Sequence, residues 1–186
     1  MITSVWVDQG WQPVEPENLT EALSAQTGTL WVDITGPDET DIAIMRDVFA
    51  FHPLAIEDTR NQRQRPKLEE YADYLFLILN SAQQNERDVV LAELDVFVGR
   101  NFVLTVHPDD EPVIAEARKR LELLGKSPIL TPGFVLYTLL DATVDTFFPL
   151  LDTIEEEIEA LGNLILARPR QRTLHRLFQL KNSLID

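Results

Sequence analysis

The sequence contains no cysteine and few basic residues. The absence of cysteine excludes disulfide bridges, thiolate catalysis and cysteine-based zinc sites. Its 16 Lys and Arg residues stand against 31 Asp and Glu residues, which gives a formal net charge of −15. A field of this sign repels nucleic-acid phosphates and anionic lipid head groups. We therefore expect cations or basic proteins as partners, and no nucleic acid.

Long apolar runs and recognisable catalytic motifs are also missing. The apolar segment at 74–79 is far shorter than the roughly 20 residues of a membrane helix, so we expect that this chain alone does not span a membrane. The three histidines, His52, His107 and His175, follow none of the spacings of zinc sites. There is no glycine-rich phosphate loop and no nucleophile elbow. These absences predict that the chain is not an enzyme.

The first two thirds of the chain alternate strand-like and helical patterns, whereas the last third is helical only. Runs rich in β-branched and aromatic residues predict at least five strands, at residues 2–7, 29–34, 74–80, 89–99 and 102–106. Helical patterns lie between them, at 18–26, 38–49, 53–60 and about 111–124. The predicted fold class is α/β (α+β), with a mixed β-sheet flanked by helices and followed by long C-terminal helices.

We place a boundary near Leu130, which divides the chain into residues 1–130 and 131–186. Thr131 is a good helix cap and Pro132 a good first residue, so the pattern predicts one helix of about 35 residues through Ala167. Pro149 lies inside this helix and either kinks it or begins a new one. A return helix is expected to begin near Arg170.

The predicted long helix has one apolar face and one acidic face. The acids that share a side of the helix are Asp141, Asp145, Asp152, Glu156 and Glu159. Residues 132–167 contain no Lys or Arg, so the like charges four residues apart repel each other without local relief. Three interpretations remain open: a solvated acidic face, pairing with basic residues of another helix or subunit, and bound metal.

Glu57 and Asp58 form a second candidate group, at the end of a short helix and before a basic stretch. They are either surface acids paired with Arg60 or Arg63, or metal ligands. Because oxygen ligands are abundant and sulfur ligands absent, a bound metal would be a hard or borderline cation, with Mg²⁺ first and Ca²⁺, Mn²⁺ or Co²⁺ behind it.

Several segments resemble the CorA family of magnesium and cobalt transporters. They are HPLAIED at 52–58, QRPKLEEY at 64–71, FVLTVH at 102–107 and YTLLDATVD at 137–145. The resemblance covers most of the chain from about Trp31 onward. It implies a cytoplasmic funnel domain over residues 1–130, followed by the acidic helix, its return turn and the start of a stalk helix.

The resemblance also implies an assembly and a site. The family forms homopentamers in the membrane, so we expect identical subunits as partners and the cell inner membrane as the location of the full-length protein, with this domain in the cytoplasm. Its membrane helices and Gly-Met-Asn signature are expected beyond Asp186. A regulatory Mg²⁺ or Co²⁺ between subunits would be held at positions matching Glu57, Asp58 and Asp141, together with a further stalk Asp, and would close the pore.

Asp145, Asp152, Glu156 and Glu159 are further candidate cation-binding residues. One alternative function is the cytoplasmic domain of a ZntB-like zinc transporter of the same superfamily. A soluble metal-dependent enzyme and an acidic oligomerisation module without a metal role are alternatives from other classes. The resemblance leaves the transported ion open among Mg²⁺, Co²⁺, Zn²⁺ and Ni²⁺.

Overall fold

A computed structural model describes residues 2–7, 11–24, 28–84, 89–109, 111–124 and 130–167. The chain divides into two compact units, residues 1–146 and 147–186. The first unit contains a β-sheet with its covering helices, and the described part of the second unit is one helix. The expected return helix near Arg170 lies outside the described residues.

Within the described residues, seven strands form one mixed sheet. The strands are β1 (Ile2–Val7), β2 (Trp11–Pro13), β3 (Thr29–Thr35), β4 (Lys67–Glu70), β5 (Tyr74–Gln84), β6 (Val89–Gly99) and β7 (Phe102–His107). Their order is β2-β1-β3-β7-β6-β5-β4. Only the central pair β3 and β7 is parallel among the described neighbours. The predicted fold class and five predicted strands are confirmed.

The described helices cover both faces of the sheet in the first unit and form the second unit. They are α1 (Leu19–Ser24), α2 (Glu39–Asp47), α3 (Pro53–Arg60), α4 (Pro112–Leu123), α5 (Pro132–Asp145) and α6 (Phe148–Ala167). Because side chains of a strand alternate between faces, β3 points Leu30, Val32 and Ile34 to one side and Trp31 and Asp33 to the other.

Two hydrophobic cores result from this alternation. One core lies between the sheet and α1, α2 and α3, and it includes Met45, Phe76 and Phe97. The other lies between the sheet and α4 and α5, and it includes Leu121 and Leu139. Each helix of the first unit is therefore held by its apolar side, and its polar side faces outward.

The prediction of one helix over residues 132–167 is wrong. Helix α5 ends at Asp145 and α6 begins at Phe148. Pro149 is the second residue of α6, and it has no N–H with which to extend the hydrogen-bond ladder to the carbonyl of Asp145. The alternative, in which Pro149 begins a new helix, is confirmed.

Among the described residues, the 32-residue stretch Pro132–Asn163 contains an 18-residue window with a mean hydropathy of 1.4, which by length and composition alone could cross a membrane. Its first part is α5, which buries Val135, Leu139 and Ala142 in the core shared with α4 and the sheet. The apolar character of α5 is explained by this packing, so α5 is a core helix of the first unit.

Candidate metal-binding carboxylates

Glu57 and Asp58 lie in the last turn of α3. Pro53 occupies the start of this helix, and the His52 imidazole accepts a hydrogen bond from the N–H of Leu54. Ala55, Ile56 and Thr59 are buried against the sheet. This side of α3 fixes its rotation, so the Glu57 side chain is exposed and that of Asp58 is half-buried.

Lys67 holds the Asp58 carboxylate. Its Nζ donates to Asp58 Oδ2 at 2.6 Å and to Glu69 Oε1 at 2.7 Å. Lys67 and Glu69 belong to β4, which pairs with β5 and projects both side chains toward α3. Burial lowers the pKa of Lys67, but the two carboxylates outweigh this effect and raise it above its ordinary value. The ammonium group therefore stays charged beside Asp58.

This contact corrects the pairing considered for Asp58. Arg60 bonds Glu39 at 2.7 Å instead, across the gap between α3 and α2. The pattern of residues 60–67 indicated an irregular basic stretch, and it did not reveal that Lys67 begins an edge strand. Only the pairing of β4 with β5 brings Lys67 next to α3.

Asp141 and Asp145 share one guanidinium group. Arg120 Nη1 donates to Asp141 Oδ2 at 2.7 Å, and Nη2 donates to Asp145 Oδ2 at 2.6 Å. Arg120 Nε donates to Glu116 Oε1 at 2.8 Å within α4. The bonds to Glu116 and Asp145 raise the pKa of Arg120. In this structure both acids therefore pair with a basic residue of another helix, and their cation-binding role stays a prediction.

Asp152, Glu156 and Glu159 lie on α6, in the second unit, and their side chains are exposed. Within residues 147–167, which are the described part of that unit, none of the three forms an ion pair. Their cation-binding role stays a prediction.

The candidate carboxylates of the first unit do not meet in one chain. Helix α3 covers one face of the sheet and α5 covers the other, so the sheet separates Asp58 from Asp141. Among the described residues, no cluster of three or more Asp, Glu, His or Cys side chains could hold a metal ion. Any site that uses both Asp58 and Asp141 must be completed by another molecule.

Sequence analysis missed two groups of buried polar residues. Glu93 and Asp95 point from β6 toward the α1–α3 side, and Asp33 and His107 point from β3 and β7 toward α4. All four are less than a tenth exposed. Glu93 also lines a cavity of about 570 Å³ with Gln64 and Asn80. The alternation of residues 93, 95 and 97 in β6, with Phe97 inward, was the signal that could have found the two acids.

Comparison with known proteins gives a family match and several relatives. Residues 26–186 match the family described as CorA-like Mg2+ transporter protein. The putative metal ion transporter YfjQ of Bacillus subtilis (strain 168) is 36% identical over 159 residues, which cover 83% of this chain and 48% of the relative. The cobalt/magnesium transport protein CorA of Thermotoga maritima is 32% identical over 160 residues, covering 84% and 46%.

Solved structures share the fold. The soluble domain of CorA from Methanocaldococcus jannaschii aligns with a TM-score of 0.71 at 19% identity, over 100% of this chain and 72% of that one. The cytoplasmic domain of ZntB from Vibrio parahaemolyticus aligns with a TM-score of 0.71 at 15% identity, over 98% and 71%. At these identities the alignments show a common fold. They do not distinguish a CorA domain from a ZntB domain.

The chain spans about half the length of the curated relatives it matches. The family match nevertheless covers most of this chain and confirms the resemblance seen in the sequence. It also confirms the expectation that the chain is not an enzyme, because the family consists of transporters. The chain belongs to the CorA-like Mg2+ transporter family.

Proposed function

We propose that this chain is the cytoplasmic metal-sensing domain of a CorA-type divalent-cation transporter. In this proposal Mg²⁺ or Co²⁺ binds between identical subunits of a homopentamer, at Glu57 and Asp58 of one subunit and Asp141 of its neighbour. The bound ion closes the pore, and the full-length protein lies in the cell inner membrane. The main support for a site between subunits is that Asp58 and Asp141 lie on opposite faces of one sheet, so that a site with both residues needs a second molecule.

Repulsion between carboxylates at such an interface makes its closure depend on the concentration of divalent cations. Carboxylates on facing subunits repel each other when no cation lies between them. A divalent ion that binds both stabilises the closed arrangement by its difference in affinity for the two states, so the cation concentration is coupled to the pore. Transport of the same ion would then be limited by its own accumulation.

The donor chemistry favours Mg²⁺ or Co²⁺ as the regulatory ion. Glu57, Asp58 and Asp141 offer only carboxylate oxygens, and their partial exposure leaves room for the waters that Mg²⁺ retains. Zinc prefers nitrogen and sulfur ligands, and the chain has no cysteine. We expect a modest affinity, in the millimolar range for Mg²⁺.

The first test measures the melting temperature with MgCl₂, while NaCl is adjusted to keep the ionic strength constant. Asp58→Asn with Asp141→Asn is expected to abolish the rise caused by Mg²⁺. Asp152→Asn with Glu156→Gln is the matched control, since it removes the same two charges from α6 and is expected to preserve the rise. If the α6 pair carries the whole response, the site assignment is wrong. A larger, equally site-dependent response to ZnCl₂ would favour the zinc branch.

A second test asks whether the site is shared between subunits. Light scattering is expected to show Mg²⁺-dependent self-association of the wild-type chain, and neither Asp58→Asn nor Asp141→Asn alone should associate. An equimolar mixture of the two variants should regain part of the association, because one interface then pairs an intact Asp58 with an intact Asp141. A mixture that behaves like its separate components contradicts a shared site.

A further inference from the structure

We infer that Lys67 and Arg120 are built-in counter-cations, which compete with divalent ions for the candidate carboxylates and thereby set the ion concentration at which the site responds. The inference rests on the proposed function, because it concerns the same Asp58 and Asp141. It goes beyond that function by assigning control of affinity to two basic side chains.

Lys67 is anchored beside Asp58 by its other contacts. Its Nζ also bonds Glu69, and it lies 5.5 Å from the centroid of the Phe76 ring. Glu69 is in turn held by the Tyr71 hydroxyl, which donates to Glu69 Oε2 at 2.9 Å. The ammonium group is thus held on β4 and β5 by contacts of its own, and in this structure it neutralises Asp58.

Arg120 occupies the corresponding position on the other face. Its guanidinium group spans two successive turns of α5 and bonds Asp141 and Asp145 together. It removes the repulsion between these acids, which the sequence of α5 cannot relieve by itself. The Thr146 hydroxyl, at the end of α5, accepts a hydrogen bond from the N–H of Ala82 in β5 at 2.9 Å. This contact anchors the end of the helix close to Asp145.

A divalent ion must therefore exchange with a cation that the chain already provides. Two cations at one carboxylate repel each other, so metal binding to Asp58 or Asp141 weakens the bond to Lys67 or Arg120. Both basic side chains are 30% exposed, so water can solvate them once they are displaced. A metal ion can therefore displace Lys67 or Arg120 from the carboxylates. The free energy needed for this displacement lowers the affinity for the metal ion without preventing binding.

The test compares MgCl₂ midpoints of the melting-temperature response at fixed ionic strength. Lys67→Gln and Arg120→Gln are each expected to lower the midpoint about 1.5- to fivefold, the range that corresponds to partly exposed ion pairs. Lys67→Arg keeps the charge and should leave the midpoint near that of the wild type. Lys119→Gln is the matched control for Arg120, because Lys119 is the adjacent residue of α4, is 72% exposed and, among the described residues, forms an ion pair with Glu116 alone, at 3.8 Å.

The outcomes separate this inference from the proposed function. A wild-type response with an unchanged or higher midpoint in both Gln variants overturns the inference alone, and means that the two bases position the carboxylates. An equal shift of the MgCl₂ midpoint in Lys119→Gln also overturns the inference, because the shift would then follow from the change in net charge alone. No Mg²⁺ response in the wild type or in either variant overturns both. If Lys67→Gln fails to fold by circular dichroism, Arg120→Gln on the opposite face still decides.

Discussion

The buried acids on the two faces of the sheet differ in their hydrogen-bond partners. On the face covered by α4 and α5, the Asp33 carboxylate accepts hydrogen bonds from the Thr105 hydroxyl and from His107 Nε2, the latter at 3.2 Å. On the face covered by α1–α3, Glu93 Oε1 and Asp95 Oδ1 have no hydrogen-bond partner, and neither residue forms an ion pair within the described part of the chain.

The protonation states differ accordingly. Both ring nitrogens of His107 face oxygen acceptors, Asp33 Oδ1 and the carbonyl of Asp109, so the doubly protonated imidazolium satisfies both. Burial lowers the pKa of His107, but Asp33 outweighs this and raises it above 6.5. For Asp95, burial and then the charge of Glu93 raise the pKa to about 7. One face thus pairs a buried acid with a histidine whose pKa is raised, and the other face holds buried acids whose own pKa values are raised.

A buried acid can thus be stabilised either by a cationic partner or by its own proton. In both cases the folded protein is more stable at low pH. The first makes the protein depend on His107, because loss of the imidazolium leaves an unpaired charge. The second makes the protein depend on the proton of Asp95.

Replacing His107 should have the largest effect. His107→Leu removes the imidazolium and leaves the Asp33 carboxylate buried without its cationic partner, so the free energy of unfolding should fall by about 3–5 kcal/mol at pH values below 6.5, where the imidazolium is present. Urea unfolding measures this change. The double variant with Asp33→Asn should recover part of the loss, because no buried charge then remains. A double variant as unstable as His107→Leu would assign the loss to packing alone.

Asp95→Asn should raise the free energy of unfolding at pH 8, whereas His107→Leu lowers the free energy of unfolding. The pKa of Asp95 is about 7 in the folded protein and 3.8 in the unfolded chain, so between these values the folded state holds a proton that the unfolded state has lost. The free energy of unfolding therefore falls as the pH rises from about 4 to 7, by roughly 4 kcal/mol in total.

The Asn variant should lose this decline and be more stable than the wild type at pH 8. Urea unfolding at several pH values provides the measurement. His107 contributes in the same direction at higher pH, since its stabilisation is complete below 6.5 and is lost as the pH rises through its raised pKa. The decline that remains in Asp95→Asn should therefore lie at the upper end of the range.

Glu93→Gln should have a smaller effect that appears mainly as a shift in pH dependence. Burial raises the pKa of Glu93, whose Oε2 accepts a 2.6 Å hydrogen bond from the N–H of Gln64. The Gln side-chain oxygen can still accept this bond, while the charge that raises the pKa of Asp95 is gone. The pH-dependent loss of stability caused by Asp95 should then end at a lower pH and be smaller in total, and carbon NMR of the Asp95 carboxyl group would detect the lowered pKa. An unchanged Asp95 titration would contradict the coupling of the two acids.

Lys67→Gln and Arg120→Gln should have the smallest effects on stability. Each removes a partly exposed cation from two or three carboxylates, so each should lower the free energy of unfolding by at most about 1 kcal/mol. Because the two residues lie on opposite faces, their effects should add in the double variant. Clear non-additivity in urea unfolding would show that the faces are coupled through the sheet.

Much of the fold could be predicted from local patterns. The strands β3, β6 and β7 follow their apolar runs, and β6 and β7 pair as an antiparallel hairpin. At Gly99 an added Cβ would lie 2.0 Å from the Phe102 ring, which explains the glycine at that turn. Helix α4 begins after Glu111, whose side chain accepts from the N–H of Val113. These features depend on neighbouring residues, and a sequence displays them directly.

The short edge strand β4 could not be predicted in this way. Its four residues, KLEE, alternate half-buried and exposed side chains, and three of them are charged. Its strand conformation comes from pairing with β5, not from its own apolar pattern. The candidate site has the same dependence: the resemblance predicted Asp58 and Asp141 as ligands, but their partners Lys67 and Arg120 come from other elements of the fold.

The fold class, the acidic character, the absence of thiol chemistry and the CorA-type motifs can be read from the sequence, because they follow from composition and from residues close together in the chain. Folding in three dimensions is needed to know which cation neutralises which acid, which face of the sheet holds Asp58 or Asp141, and which buried acid has a cationic partner. These properties depend on distances of a few ångströms between residues far apart in the chain. Arg120 and Asp145, 25 positions apart, are joined by a 2.6 Å hydrogen bond that only the packing of α4 on α5 creates.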